Sequence, residues 1–347
     1  MPTQHDIARR CRVSRSTVAA VLSKRPSTAV VGDRTRQRVL KTAAALGYRP
    51  NAAARSLRSG RTFALALAVP NFSAMRGAIS SRIFEGVGQE AMDLGYSVSI
   101  CHYDEAHMPS SLERMLQESR FDGVLLYGDN ESDSDPREAI LARMGVPFVE
   151  LEKNRSEHPA VAFDNIGGVR LAVDHLVGHG RRRLAVIATH GGFSRERLLG
   201  FQRALRAHGL DADPRLTVKL PLGYSDAGRP GVLALLESGA PFDALFCVTD
   251  DIAMGAIQTL VEHGRRVPED VAVVGFDDAP SAWLSNPALT SVQQDGVALG
   301  RAAVELLVRG LAGGAPKSRP QVLPTRLVVR RSCGCGREPA TFISEKV

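Results

Sequence analysis

Cys11-Arg12-Val13-Ser14-Arg15-Ser16-Thr17-Val18-Ala19-Ala20-Val21-Leu22-Ser23 is the stretch whose reading decides the first part of the chain. Ser14 suits a helix N-cap, because its hydroxyl accepts from a free amide of the first turn. Val13 before it and Val18 four positions beyond have the layout of a hydrophobic staple. Val18, Val21 and Leu22 make one apolar stripe, which leaves Arg15, Ser16 and Thr17 at the exposed leading end. Ile7, Ala8, Val39, Ala43 and Leu46 also fall at helical intervals. The spacing therefore predicts three short helices, near 4–10, 15–23 and 33–46. Asp33 stands to cap the third and Gly47 to end it. Pro50-Asn51 then opens a short helical stretch from Ala52 to Ser59, closed by Gly60.

Charge sets this head apart. Residues 1–60 hold 13 Lys and Arg against two acids, Asp6 and Asp33, while the other 287 residues hold 31 basic and 35 acidic ones. A basic head ahead of a mildly acidic body points to a polyanionic partner. A helix with a buried rear face and polar leading turns is the form that enters a DNA major groove end-on. The remaining composition is that of a globular protein, with 44% apolar and 23% charged residues. No apolar run reaches the ~18 residues of a membrane span, and the start lacks the layout of a secretory signal. Five cysteines, at 11, 101, 247, 333 and 335, are too scattered for a disulfide framework, so a cytoplasmic setting is expected.

From residue 61 strand-like runs alternate with amphipathic helical ones. Strands are predicted at 63–69, 97–101, 123–127, 147–150, 184–188, 244–248 and 271–275. Helices are predicted near 80–94, 109–118, 136–144, 167–179, 195–208, 229–238 and 251–263. Such alternation means parallel sheet covered by helices, and the pattern restarts near 161–163, which suggests two similar lobes. No phosphate-cradling glycine loop, nucleophile elbow or paired-histidine zinc motif stands out. Cys333-Gly334-Cys335 is a thiol pair, but one-residue spacing is uncommon for zinc and no second cysteine pair accompanies it. No catalytic constellation assembles, so neither an enzyme nor a cofactor is expected.

In the head, Asp6-Ile7-Ala8, Val13-Ser14 with Ser16-Thr17-Val18, Val21-Leu22, Thr35-Arg36, Val39-Leu40, Leu46 to Asn51 and Ala54 to Arg61 occur in order at matching spacing. The body carries Val69-Pro70-Asn71, Phe84-Glu85-Gly86, Leu94-Gly95-Tyr96, Asp164-Asn165, Arg195 to Leu198 with Gly200-Phe201, Val273 to Asp278 and Ser332-Cys333-Gly334. On these residues the chain resembles the LacI/GalR (lactose-repressor/galactose-repressor) family of transcriptional regulators over nearly its whole length. The resemblance implies an all-α helix-turn-helix head over 1–50 and a hinge helix over 51–60. The implied body is periplasmic-binding-protein-like, with two doubly wound parallel-sheet lobes: 61–162 plus 292–323, and 163–291 plus 324–340. Residues 341–347 read as a tail.

The resemblance also implies the sites. DNA contacts fall on Thr3, Ser14, Arg15, Ser16, Thr17, Asn51, Arg55, Leu57 and Arg58, with Leu57 wedged between base steps of an approximately palindromic operator. Its alternative is a linker residue packed on its own lobe. A small-molecule effector, a sugar or related metabolite, is implied at Asn71, Phe72, Asp164, Arg197, Tyr224, Thr249, Asp250 and Asp277. Ligands in open α/β lobes bind beyond the carboxyl ends of the strands, where Asn71, Asp250 and Asp277 fall. For Arg197 and Asp277 the alternative is a surface ion pair, and for Tyr224 it is ordinary packing. The sequence departs from the family at Arg12, in place of the usual turn glycine, at Ala19-Ala20, Asn71, Thr249 and Gln293. The expectation is a homodimer, with a tetramer left open, and no membrane association. The rival reading is a transport-type small-molecule-binding protein without a regulatory role.

Overall fold

The chain divides into two units, Met1–Thr62 and Phe63–Val347. The computed structural model describes residues 2–22, 31–48, 60–70, 77–103, 107–118, 121–128, 136–154, 156–221, 227–314, 319–336 and, for the backbone, 341–344.

In the head, α1 (Gln4–Cys11), α2 (Arg15–Leu22) and α3 (Asp33–Ala45) enclose a small core of Ile7, Ala8, Cys11, Val18, Val21, Val39 and Ala43. Val13 and Leu22 pack against it, as the staple and stripe predict. Between α1 and α2, Arg12 adopts the left-handed conformation, φ 50° and ψ 49°. That conformation costs a non-glycine residue on the order of 1 kcal/mol, so the missing turn glycine is a real local strain. One detail is corrected. The N-cap of α3 is Gly32, and Asp33 is its first helical residue. Asp33 therefore acts on the helix dipole rather than as a cap.

The first sheet of the body is parallel throughout, in the order β11-β5-β4-β3-β1-β2. Its strands are β1 (Ala64–Val69), β2 (Ser97–His102), β3 (Gly123–Leu126), β4 (Phe148–Leu151), β5 (Ala160–Phe163) and β11 (Gln321–Leu323). The period-2 alternation of β1 assigns its faces. Leu65, Leu67 and Val69 pack with residues of α4 (Ala78–Asp93) and α12 (Gly296–Leu311). Ala66 and Ala68 face α5 (Met108–Glu118) and α6 (Pro136–Arg143).

The second sheet has the order β13-β12-β10-β9-β8-β6-β7. Its strands are β6 (Leu184–Thr189), β7 (Thr217–Leu220), β8 (Ala244–Cys247), β9 (Ala272–Asp277), β10 (Thr290–Gln293), β12 (Arg326–Val329) and β13 (Thr341–Ser344). Its helices are α7 (Asn165–Gly178), α8 (Gly192–Ala207), α9 (Gly228–Glu237), α10 (Asp250–Glu262) and α11 (Pro280–Leu284). Two differences from the sequence reading appear here. β12 runs antiparallel to β10, and β13 antiparallel to β12, so the residues read as a tail include an edge strand. β12 enters this sheet from β11 of the first sheet through only Pro324 and Thr325. β13 follows β12 with no helix between them among the described residues, and a strand paired with its predecessor without such a crossover runs antiparallel.

The chain passes between the sheets at Asp164, at Gln294-Asp295 and at Pro324-Thr325. Phe163 pairs with Leu323 in the first sheet, whereas Val292 and Gln293 pair in the second. The first two exchanges thus lie slightly later than the expected lobe bounds. The stretch expected as a hinge helix, 51–59, lies outside the described residues.

Helices α4 and α12 approach through glycines. A Cβ on Gly86 would sit 2.2 Å from the Val297 carbonyl oxygen, and one on Gly300 2.1 Å from that of Ile83. Backbone atoms cannot retreat as a flexible side chain can. Gly300→Ala is therefore expected to destabilise the protein by about 2–3 kcal/mol in urea unfolding. Gly178→Ala, where a Cβ meets nothing within 4 Å, should not destabilise; equal losses in both variants would contradict close helix packing.

Candidate functional site

On the head, Ser14 Oγ accepts from the Thr17 amide at 3.1 Å, the cap that the sequence predicts. It also lies 2.6 Å from Ser16 Oγ and 2.8 Å from Thr17 Oγ1. Ser14, Arg15 and Ser16 are exposed on the leading turn of α2, while Val18 and Val21 are buried behind them. Thr3 has a local duty. It forms a capping box with Asp6 at the start of α1. Asn51, Arg55, Leu57 and Arg58 lie outside the described residues.

In the body, the carboxyl ends of the two sheets supply a polar cluster around Arg197. This side chain rises from α8 and is only 2% exposed. Its Nε donates to Asn165 Oδ1 at 3.0 Å, and Nη1 to the Val248 carbonyl at 2.5 Å and to Asp277 Oδ1 at 3.2 Å. Nη2 donates to Gln294 Oε1 at 3.1 Å. The guanidinium carbon stands 3.8 Å from the Phe276 ring centroid and 4.9 Å from that of Phe193, which adds cation–π attraction. Four of the five guanidinium N–H groups thus have partners among the described residues.

Asp277 ends β9 with φ 112°, and Asp278 follows with φ 54°. Both angles are unfavourable for residues bearing a Cβ, and the surroundings hold them. The Asp278 amide donates to Ser291 Oγ at 3.0 Å, and the Ala279 amide to Asp250 Oδ2 at 2.7 Å. The Asp278 carboxylate accepts from Arg330 and from the Gln293 amide, each at 2.6 Å. This turn aims Asp277 at Arg197. Burial pushes the Asp277 carboxyl up to about 6, against the pull of Arg197.

The first lobe contributes Tyr127, just after β3. Its hydroxyl is hydrogen-bonded to Glu152 and Ser80, and its ring meets Phe84 edge-on at 5.0 Å. Burial raises the phenol pKa, and the charges of Glu152 and Asp277 raise it further. A direct link joins the lobes: Asn154 Nδ2, after β4, donates to Glu196 Oε2 on α8 at 2.7 Å.

Of the residues predicted for the effector, Arg197 and Asp277 meet as expected. Three others do structural work. Asp164 and Thr249 cap α7 and α10 by accepting from the Gly167 and Ile252 amides. Asp250 is buried, and its two oxygens accept from Ser291 Oγ and the Ala279 amide. Burial, with Asp277 nearby, pushes its carboxyl up. Asn71, Phe72 and Tyr224 lie outside the described residues. Tyr127, Glu152, Ser80, Asn165, Gln294 and Phe193 are additions from the structure. The only sequence signal available for them was their place just after strands or in first helical turns.

A helix-turn-helix head joined to a two-lobed α/β body with a polar cleft defines a DNA-binding regulator that senses a small molecule. Residues 3–51 match the model of bacterial regulatory proteins of the lacI family, and residues 173–333 that of a periplasmic binding protein-like domain. The regulator CelR of Thermobifida fusca is 34% identical over 95% of this chain and 98% of its own length. A solved structure of a CelR–cellobiose complex matches with a TM-score of 0.73 at 32% identity, covering 96% of this chain and all of that one. The Lac repressor dimer bound to operator and the anti-inducer ONPF matches with a TM-score of 0.79 at 26% identity, over 96% and 99% of the two chains. The chain belongs to the LacI family and is a transcriptional regulator.

The Asp277 carboxyl titrates near 6 in the fold, above the ~3.9 of an unfolded chain. A group whose pKa rises on folding stabilises the fold while protonated, fully below about pH 4, and loses that contribution as pH climbs through about 6. Wild-type protein should therefore lose stability relative to Asp277→Asn between pH 4 and 6. Urea unfolding at both pH values checks it; parallel profiles would contradict the burial assigned to Asp277.

Proposed function

We propose that this chain is a repressor that binds an approximately palindromic operator as a homodimer and is controlled by a sugar or related polyol held between the lobes. The reading rests chiefly on the Arg197–Asp277 pair at the carboxyl end of the second sheet. One carboxylate oxygen of Asp277 is taken by Arg197, and the other has no partner among the described residues. Beside it the guanidinium offers a further N–H. An acceptor next to a donor matches neighbouring hydroxyls, one donating and one accepting, through charge-assisted hydrogen bonds. CelR, whose relative structure holds cellobiose, makes glucose-based disaccharides the first ligands to try.

DNA binding is carried by the head, where α2 presents Ser14, Arg15, Ser16 and Thr17. Asn51, Arg55, Leu57 and Arg58 supplement it, with Leu57 as the wedge; such a wedge costs a few kcal/mol of unstacking, recovered by bending. Exposed apolar residues on each lobe support pairing: Met92, Leu94 and Ile100 on the first, and Val261, Trp283 and Leu284 on the second. Two-fold protein symmetry then mirrors the operator. The reading assigns binding rather than catalysis, and a cytoplasmic location. Among the described residues no helix is long and apolar enough to cross a membrane.

Gel shifts with the whole chain and with residues 61–347 test the division of labour. Only the whole chain should bind DNA, with a salt slope near 0.9 per phosphate neutralised. Equal binding by both, or by neither, would remove the regulator mechanism proposed for the head. An effector sugar should change operator affinity of the whole chain by roughly 5–150-fold, and Asp277→Ala should lose that response while retaining DNA binding. A response that persists in the variant would place the effector elsewhere.

A further inference from the structure

At the end of the second lobe away from the cleft, the last turn of α7 and the segment after β12 bring three metal-ligating side chains together. One ring nitrogen of His175 and the Sγ atoms of Cys333 and Cys335 all lie within 4.8 Å of one another. The two sulfurs are 3.5 Å apart. We propose that His175, Cys333 and Cys335 bind a thiophilic divalent cation of the zinc type, with water in the fourth position.

The geometry suits such an ion. Zn–S bonds of about 2.3 Å in a tetrahedron place two sulfurs about 3.8 Å apart, and the pair needs only a small adjustment to reach it. A disulfide would require closure to about 2.05 Å. Gly334 makes the one-residue spacing workable. Its φ of +75° turns the chain so that both cysteines reach the same place, and a Cβ there would lie 3.1 Å from Pro268 Cβ.

The ligands are also held before any ion arrives. Ser332, next to Cys333, donates from Oγ to the Val273 carbonyl at 2.6 Å and accepts from the Thr290 amide at 2.8 Å. His175 is fixed on a helix, with the His179 ring edge-on at 4.6 Å. Charge balances as well. On binding, each thiol releases its proton to solvent, and two thiolates neutralise a divalent cation. The loaded site therefore brings no net charge to a place where His175 is 8% and Cys333 1% exposed, which avoids the cost of an isolated buried ion.

The site is independent of the effector cleft. The Ser332 carbonyl accepts from the Val273 amide near the start of β9, whereas Asp277 ends that strand. Four residues of strand separate them, about 13 Å. A bound ion would join α7 to the chain that leads into β13. It would thus stiffen the second lobe without occupying the ligand position.

The test uses the full-length protein, stripped with a chelator under reducing conditions and titrated with Co²⁺ as the optical probe. One equivalent should give thiolate-to-cobalt charge transfer in the near ultraviolet with four-coordinate ligand-field bands, and Zn²⁺ should abolish both. Cys335→Ser, at a half-buried position, should lose about half of the charge-transfer intensity, one of two thiolates being gone. His175→Gln should weaken cobalt binding at least tenfold while Cys101→Ser leaves the spectrum unchanged. Circular dichroism of each variant separates loss of ligand from loss of fold. Absence of the charge-transfer band, or its survival at full intensity in Cys335→Ser, would overturn the proposal. A 2 Da mass loss on air oxidation with no cobalt binding by the reduced protein would also overturn it and identify the cysteines as a redox pair instead.

Discussion

A guanidinium removed from water is tolerated only when hydrogen bonds and a counter-charge replace its hydration. That requirement organises the second lobe. Arg197 draws together Asn165 at the start of α7, Val248 beyond β8, Asp277 at the end of β9 and Gln294 beyond β10. Two of these partners adjoin the places where the chain changes lobes: Asn165 follows Asp164, and Gln294 is itself a crossing residue. A ligand that competes for the guanidinium or for Asp277 therefore acts on the hinge through direct contacts. Its influence on the lobes is bounded by how differently it binds their two arrangements.

The strained turn after β9 shows how the cost of such a site is met. Two successive aspartates with positive φ would relax if left alone. Asp250 and Ser291 hold the backbone from behind, and Arg330 with Gln293 clamps the Asp278 carboxylate. Asp250 thus supports the turn that carries Asp277.

Much of this was legible in the residues. Helix α1 announced itself through the helical spacing of Ile7 and Ala8, α2 through the Ser14 cap and the Val13–Val18 staple, and most parallel strands through short apolar runs. Several strands and the helices α11 and α12 were missing from that reading. β7 is only partly buried, so no continuous apolar run marks it. β10 and β12 are four residues each and begin with polar residues, Thr290-Ser291 and Arg326, so neither makes a continuous apolar run. α12 belongs to the first lobe although it follows a strand of the second. The site was legible at Arg197 and Asp277, because charged residues at strand ends or in early helical turns are conspicuous. Asp164 and Thr249 stand at helix N-caps, where the same short polar side chains are favoured for capping alone, and Asp250 accepts from Ser291 and the Ala279 amide. Tyr127 and Glu152 were silent, since nothing in the local pattern marks a phenol and a carboxylate so far apart in sequence as neighbours.

The two lobes of the body are stitched by three short crossings, and the first and third are tied to each other: the Asp164 amide donates to the Leu323 carbonyl, and Thr325 Oγ1 to the Asp164 carbonyl at 3.2 Å. Three seams side by side behave unlike a single flexible link. They permit twisting and modest bending about a shared axis, and they resist wholesale separation. A ligand that favoured one arrangement of the lobes would have to act through these joints, which favour rotation over separation and so leave both cores closed.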